Sequence, residues 1–140
     1  MSDGGDFLRS IGIATSGLRA QAGRMRVISE NIANADSVAK TPGGDPYRRK
    51  VPTFSSELDR NLDARVVSIG KIKSDNSSFR IKHEPGNPAA DASGDVKYPN
   101  VNPLVETMDM REAQRSYEAN LNIISATRRM IQRTLDILKA

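Results

Sequence analysis

The chain has 140 residues, enough for one ordinary domain, but its hydrophobic fraction is 37%, its aromatic fraction 4%, and it has no Trp. This is too little for a compact globule with deep pockets, and fits a protein that completes its core with neighbours. The formal charge of +4 is spread along the whole length, against the basic stripe of a nucleic-acid binder, and the absence of cysteine excludes disulfides and thiolate metal sites.

No apolar run approaches the ~18 residues that would span a bilayer. The opening "MSDGGDFLRSIGIATSG" is acidic and lacks an uninterrupted apolar segment, so no cleaved secretory signal is expected. All seven prolines lie between Pro42 and Pro103. They divide the chain into residues 1–38, 39–101 and 102–140.

In the first part Ile11, Leu18, Met25 and Ile32 recur every seven residues, with Ala14, Ile28 and Ala35 at most of the alternate positions and Gln21 the exception. This spacing predicts a helix over residues 7–35 with a narrow seam for another helix. Ser2, Asp3 or Asp6 would cap it. Gly12, Gly17 and Gly23 each cost about 0.8–1 kcal/mol relative to Ala, and are expected where another backbone or side chain comes close. Asn31 and Asn34, in "SENIANADS", stand beside the seam. They read either as punctuation of the helix end or as amides that set register across an interface, with Asn120 and Asn122 as counterparts.

The middle, residues 39–101, reads as irregular with one short β-hairpin. The partial alternation in "ARVVSIGKIK" and "SSFRIKHE" places its strands on either side of a turn at "SDNS". The last part is the stronger helix, with Asn102 as N-cap and Pro103 at the first helical position. Met110, Tyr117, Ile124, Ile131 and Leu138 repeat every seven residues, and Leu121, Leu135, Ile123, Met130 and Ile137 widen the face. One partner helix cannot cover it. The expected fold is therefore mainly α: long N- and C-terminal helices packed antiparallel as a coiled-coil-like pair, joined by the middle segment.

Chemistry is sparse. His83 is the sole histidine, so His-based metal clusters and His-dependent triads are excluded. It reads as an exposed strand-end residue. Glu106, Asp109 and Glu112 share one helix face, and surface ion pairs with Arg111 and Arg115 account for them. "TPGGDP" lacks the phosphate-loop pattern and reads as a turn. The run Tyr47, Arg48, Arg49 and Lys50 reads as solvated or engaged in intersubunit ion pairs, and Tyr47, Arg48, Arg49 and Tyr98 are the expected contact residues of the middle segment. No catalytic or metal site and no cofactor is expected.

Several stretches carry a resemblance. "SENIANADS" resembles the N-[IL]-A-N motif that closes the first helix of the axial proteins of the bacterial flagellum, the rod and hook family. Other members often follow it closely with T-x-G-Y-[RK], whereas "TPGGDPYRRK" inserts residues between Gly43 and Tyr47. That spacing, with "ADSV" before it, resembles one subgroup, basal-body rod protein C of the proximal rod. "HEPGNPAADASGDVKYPNVNP" and "MREAQRSYEANLNIISATRRMIQRTLDIL" point the same way. The resemblance is piecewise over nearly the whole chain and weakest from Thr53 to Ser78.

The resemblance implies a structural subunit and no enzyme. The subunit would be made in the cytoplasm, exported uncleaved by the flagellar type III apparatus, and polymerised in the periplasm into the drive shaft that transmits torque. Its partners would be itself, other rod subunits and the export apparatus, with no nucleic acid, small-molecule substrate or membrane insertion. The terminal helices would form the inner axial domain. Its interface would use Ile11, Leu18, Met25, Ile28 and Ile32 on the first helix, with Met110, Tyr117, Leu121, Ile124, Ile131, Leu135 and Leu138 on the second. Exposed apolar stripes also suit a different class, a soluble helical adaptor or export chaperone that binds a partner's amphipathic helix. A nucleic-acid-binding module is a more distant third.

Overall fold

A computed structural model of the chain describes residues 3–140. Two long helices, α1 (Asp3–Ala33) and α2 (Pro103–Lys139), bracket six short strands. Of the expected caps for α1, Ser2 and the Asp3 side chain lie outside the described residues. Asp6 lies inside the helix, beside Arg9. For α2 the expected cap is present: Asn102 Oδ1 accepts from the Leu104 N–H at 3.1 Å, just ahead of Pro103.

The strands pair as three separate antiparallel two-stranded sheets. β2 (Phe54–Asp59) pairs with β3 (Ala64–Ile69), from Phe54↔Ile69 to Asp59↔Ala64. β5 (Arg80–His83) pairs with β6 (Asp95–Tyr98), and β1 (Lys50–Val51) with β4 (Lys73–Ser74). The predicted hairpin is therefore wrong in its partners, since the segments on either side of "SDNS" do not pair with each other. The stronger turn lies at residues 60–63. There Asp59 Oδ1 accepts from the Asn61 and Leu62 N–H groups, and Asp63 takes a left-handed conformation with φ 47°. In "SDNS" Ser74 ends β4, and a local Asx turn follows, with Asp75 Oδ1 accepting from the Ser77 N–H.

The chain forms two compact units. The first contains residues 3–25, Thr53–Lys71 and Glu112–Ala140. Its fully buried residues are small: Ala14, Ala20, Ala113 and Thr127. The β2–β3 hairpin lies against α1 where that helix has glycine. Leu62 contacts Gly12, and a Cβ on Gly23 would come within 2.9 Å of Ile69. The Arg9 Nε–H donates to the Leu62 carbonyl at 2.9 Å, and the Val67 N–H to Ser16 Oγ at 3.2 Å. In the same unit Gly17 leaves room for Asn120, whose Nδ2 would lie 2.7 Å from an added Cβ. The expectation of close approach at these glycines is met.

The second unit contains Arg26–Pro52 and Ile72–Arg111. Its core is larger: Val27, Ile28, Ala35, Ala89, Val96, Pro99 and Val101 are all buried. Four of these seven come from the "HEPGNPAADASGDVKYPNVNP" stretch. Its β5–β6 turn closes through Gly94, at φ 83°, and Asp91, whose Oδ1 accepts from the Ser93 and Asp95 N–H groups.

Candidate assembly interface

The second unit is organised around Asn31, which is 1% exposed. Its amide meets the backbone of Lys50 as a neighbouring strand would. Nδ2 donates to the Lys50 carbonyl at 2.8 Å, and Oδ1 accepts from the Lys50 N–H at 2.9 Å. The remaining capacity is also filled, with Tyr47 Oη donating to Oδ1 at 2.8 Å and Nδ2 donating to Glu106 Oε2 at 3.2 Å. Only a carboxamide offers donor and acceptor side by side. That is why an asparagine, and not an aliphatic residue, stands at this point of α1.

Glu106, also 1% exposed, accepts from Arg49 Nε through its other oxygen. Arg49 reaches Asp75 at 3.5 Å and Asp109 at 3.6 Å as well. Burial opposes the Arg49 charge, but the hydrogen bond and charge of Glu106, with Asp75 behind them, hold its pKa above the ordinary value. Asp75 is held below the usual carboxylate range, chiefly by the backbone and side-chain hydrogen bonds of Ser77 and further by Arg49. Tyr47 is pushed up to about 12 by burial first, and then by the negative charges of Glu30 and Glu106.

Two expectations are corrected here. The acidic face of α2 does not pair with Arg111 and Arg115: Glu106 and Asp109 meet Arg49, and Glu112 meets Arg24 at 3.3 Å. The basic run, expected to be solvated or paired between subunits, is half-buried and finds partners within its own unit. Arg48 stacks over Phe79, 4.2 Å from the ring centre, and donates to the Asp75 and Ser77 carbonyls. Lys50 pairs with Glu30. Tyr98, another expected contact residue, donates to Glu84 Oε2 at 3.0 Å and lies under Lys82. Sequence reasoning missed Glu106 as a buried anchor. The available signal was a basic run and an acidic helix start in one chain, with nothing to say that they meet.

The other polar residues divide differently. Asn34 Nδ2 returns to the Glu30 carbonyl at 2.9 Å and closes the end of α1. Asn120 Nδ2 returns to the Ser116 carbonyl, and Asn122 is exposed. Neither is a partner of Asn31. Of the expected interface residues Ile28 is buried, Ile11, Leu18, Met25, Met110, Tyr117, Ile124 and Ile131 are half-buried, and Ile32, Leu121, Leu135 and Leu138 are exposed. In the first unit Ile123, Met130 and Ile137 add to the exposed apolar surface of α2. The Oε1 atom of Gln21, the polar exception in the α1 seam, is buried without a hydrogen-bond partner. His83 ends β5, exposed, with Nδ1 2.9 Å from Asp95 Oδ1.

No cluster of His, Cys, Asp and Glu suited to a metal occurs among the described residues, and no described helix is long and apolar enough to cross a membrane. The arrangement is that of a structural protein, with a satisfied polar centre in the second unit and uncovered apolar helix surface in both. Both ends of the chain match flagellar rod families: residues 11–39 the family described as flagella basal body rod protein, and residues 92–137 the flagellar basal body rod FlgEFG protein C-terminal family.

The flagellar basal-body rod protein FlgC of Agrobacterium fabrum is 55% identical over 91% of this chain and 92% of its own length. Its namesakes in Bacillus subtilis and Salmonella typhimurium are 39% and 37% identical, over 93% and 94% of this chain and 97% of their own lengths. The chain belongs to the FlgC family of flagellar basal-body rod proteins. It is a structural subunit of the basal body and not an enzyme.

Proposed function

We propose that this subunit polymerises through its terminal helices, with itself and other rod subunits, into the proximal, periplasmic part of the rod, and that the polymer transmits torque. It reaches that place uncleaved through the flagellar type III export apparatus. Residues 1–38 and 102–140 act as the inner axial domain, and residues 39–101 bridge to adjacent subunits.

The observation that carries this reading is the apolar surface of α2 in the first unit, where Ile137 and Leu138 are 76% and 77% exposed in a single copy. Burying an aliphatic side chain contributes about 1.5–3 kcal/mol, so a row of them favours association strongly. Antiparallel pairing of the helices is supported within the first unit. Gly17 faces Asn120 and Arg24 meets Glu112, so contacts recede along α2 as they advance along α1. Leu18→Asp or Ile124→Asp should block rod completion, seen as loss of basal-body rods by electron microscopy, while export continues. Normal rods and motility in both variants would remove this seam from the assembly.

A further inference from the structure

The fold leaves two strand edges open. In the β2–β3 hairpin the Gly70 N–H donates to the Thr53 carbonyl. The register therefore turns the backbone groups of Ser55, Glu57 and Asp59 towards β3, and those of Phe54, Ser56 and Leu58 outward. β3 shows the same alternation, since its outward Val67 N–H is taken by Ser16 Oγ. No strand pairs with the outer edge of β2 among the described residues. Phe54 and Leu58 on that edge are 46% and 60% exposed. The strand has an unbroken register and neither proline nor lysine, so it lacks the usual guards of an edge strand.

The second open edge is β5. The Glu84 N–H donates to the Gly94 carbonyl, so Arg80 and Lys82 bond to β6 while Ile81 and His83 turn their backbone groups outward. All four residues are exposed, Ile81 at 65%. The far edge of β6 is partly engaged, because the Asp95 N–H donates to Asp91 Oδ1 and its carbonyl accepts from the Asp91 N–H.

We propose that β2 of one copy and β5 of a second copy pair antiparallel, edge to edge, and join the two hairpins into one four-stranded sheet. With Leu58 opposite Ile81, the exposed apolar residues meet, Glu57 lies opposite Lys82, and Asp59 lies opposite Arg80. β2 carries two acids and no base, and β5 carries Arg80 and Lys82 and no acid. Pairing β2 with β5 therefore brings opposite charges together, whereas either strand paired with its own copy gathers like ones. Glu57 and Lys82 are exposed, and neither belongs to an ion pair among the described residues.

In strand addition the main-chain hydrogen bonds give affinity and the side chains give specificity. Two different edges make a heterologous contact, which passes from copy to copy and does not close in pairs. The pairing rests on the rod-subunit reading and names the strands by which the middle segment reaches the next subunit.

The absence of cysteine makes the test direct. Two differently tagged full-length copies, one carrying Leu58→Cys and the other Ile81→Cys, replace the native subunit in a flagellated cell, and basal bodies are isolated and mildly oxidised. Opposite residues at hydrogen-bonded positions have Cα atoms about 5.5 Å apart, within the ~4.4–6.8 Å that a disulfide spans. Recovery of both tags in basal bodies tests the rod reading by itself. The strand pairing requires a mixed disulfide dimer, an about fivefold fall in its yield when Glu57→Lys is added to the first copy, and recovery when Lys82→Glu is added to the second. Basal bodies holding both tags without the mixed dimer overturn it, as does a yield indifferent to Glu57→Lys. An equal yield with His83→Cys in place of Ile81→Cys overturns the register. Where Glu57→Lys prevents incorporation, rescue by Lys82→Glu supports the pairing and failure of rescue refutes it.

Discussion

Asn31 carries more of the second unit than any aliphatic residue could, because four hydrogen bonds converge on one buried amide. Asn31→Ala leaves the Lys50 backbone, the Tyr47 hydroxyl and one Glu106 oxygen short of partners. A loss of about 2–3 kcal/mol is expected, since each buried unsatisfied group costs about 1–3 kcal/mol and water recovers part of it. Asn31→Asp should be worse at neutral pH, because it removes the donor and sets a second carboxylate beside Glu106. Urea titration of the full chain checks the order, and an equal midpoint for Asn31→Asp and the parent would remove Glu106 from the network. Tyr47 adds a pH dependence. Its folded pKa, about 12, is raised above the ordinary 10, so the folded state favours the protonated phenol. The Tyr47 contribution is complete below pH ~10 and declines as pH rises through the folded value. An ultraviolet titration should show a phenol ionising near pH 12 that disappears in Tyr47→Phe.

For the helices and hairpins, the glycines of α1 decide what can dock. Gly12 lowers helix propensity by about 1 kcal/mol relative to Ala, yet a Cβ there would collide with Leu62. Gly12→Ala therefore sets a gain in helix formation against displacement of the hairpin tip. The Val67 amide, bonded to Ser16 Oγ, reports docking. Its hydrogen exchange should quicken about tenfold in Gly12→Ala and slow again when Leu62→Ala makes room. Unchanged exchange at Val67 would mean that the tip shifts without cost. Gln21 belongs to this scale too: its buried, unpartnered Oε1 interrupts the α1 seam, a local weakness in a helix already thinned by glycine.

In the whole molecule the two units differ in what holds them together. The second buries valines, an isoleucine and a satisfied ionic centre, whereas among its described residues the first fully buries alanines and a threonine and leaves its larger residues half-buried or exposed. Apolar burial scales with side-chain area, so the second unit should hold its structure in a dilute monomer while the first gains protection on assembly. Hydrogen exchange on the free subunit should show slow amides in β5, β6 and the first turns of α2, and fast ones from residue 125 onward. Circular dichroism should then record added helix as subunits associate. Equal protection of both units at high dilution would count against coupled folding and in favour of a self-sufficient monomer.

What was legible in the sequence was local. Apolar spacing, a cap at Asn102 and a proline at position 103 are properties of neighbouring residues, and they placed α1 and α2 to within a few residues. The words of the rod family lay in the same class of short, contiguous signals, and they identified the family before any contact was known. The tertiary structure alone decided partnership. Asn31 and Glu106 are 75 residues apart, Arg49 and Glu106 are 57 apart, and nothing in either neighbourhood names the other. The two expected strands are present as β3 and β5, and only their pairing differs, for a similar reason. Alternation marks a strand but not its partner, and the turn that closes β2 onto β3 depends on Asp59 and on a left-handed Asp63. The periodicity of "SENIANADS" placed two amides at the end of a helix. Packing decided that Asn34 would close that helix while Asn31 received the backbone of Lys50, because a buried carboxamide takes whichever partners the fold brings within reach.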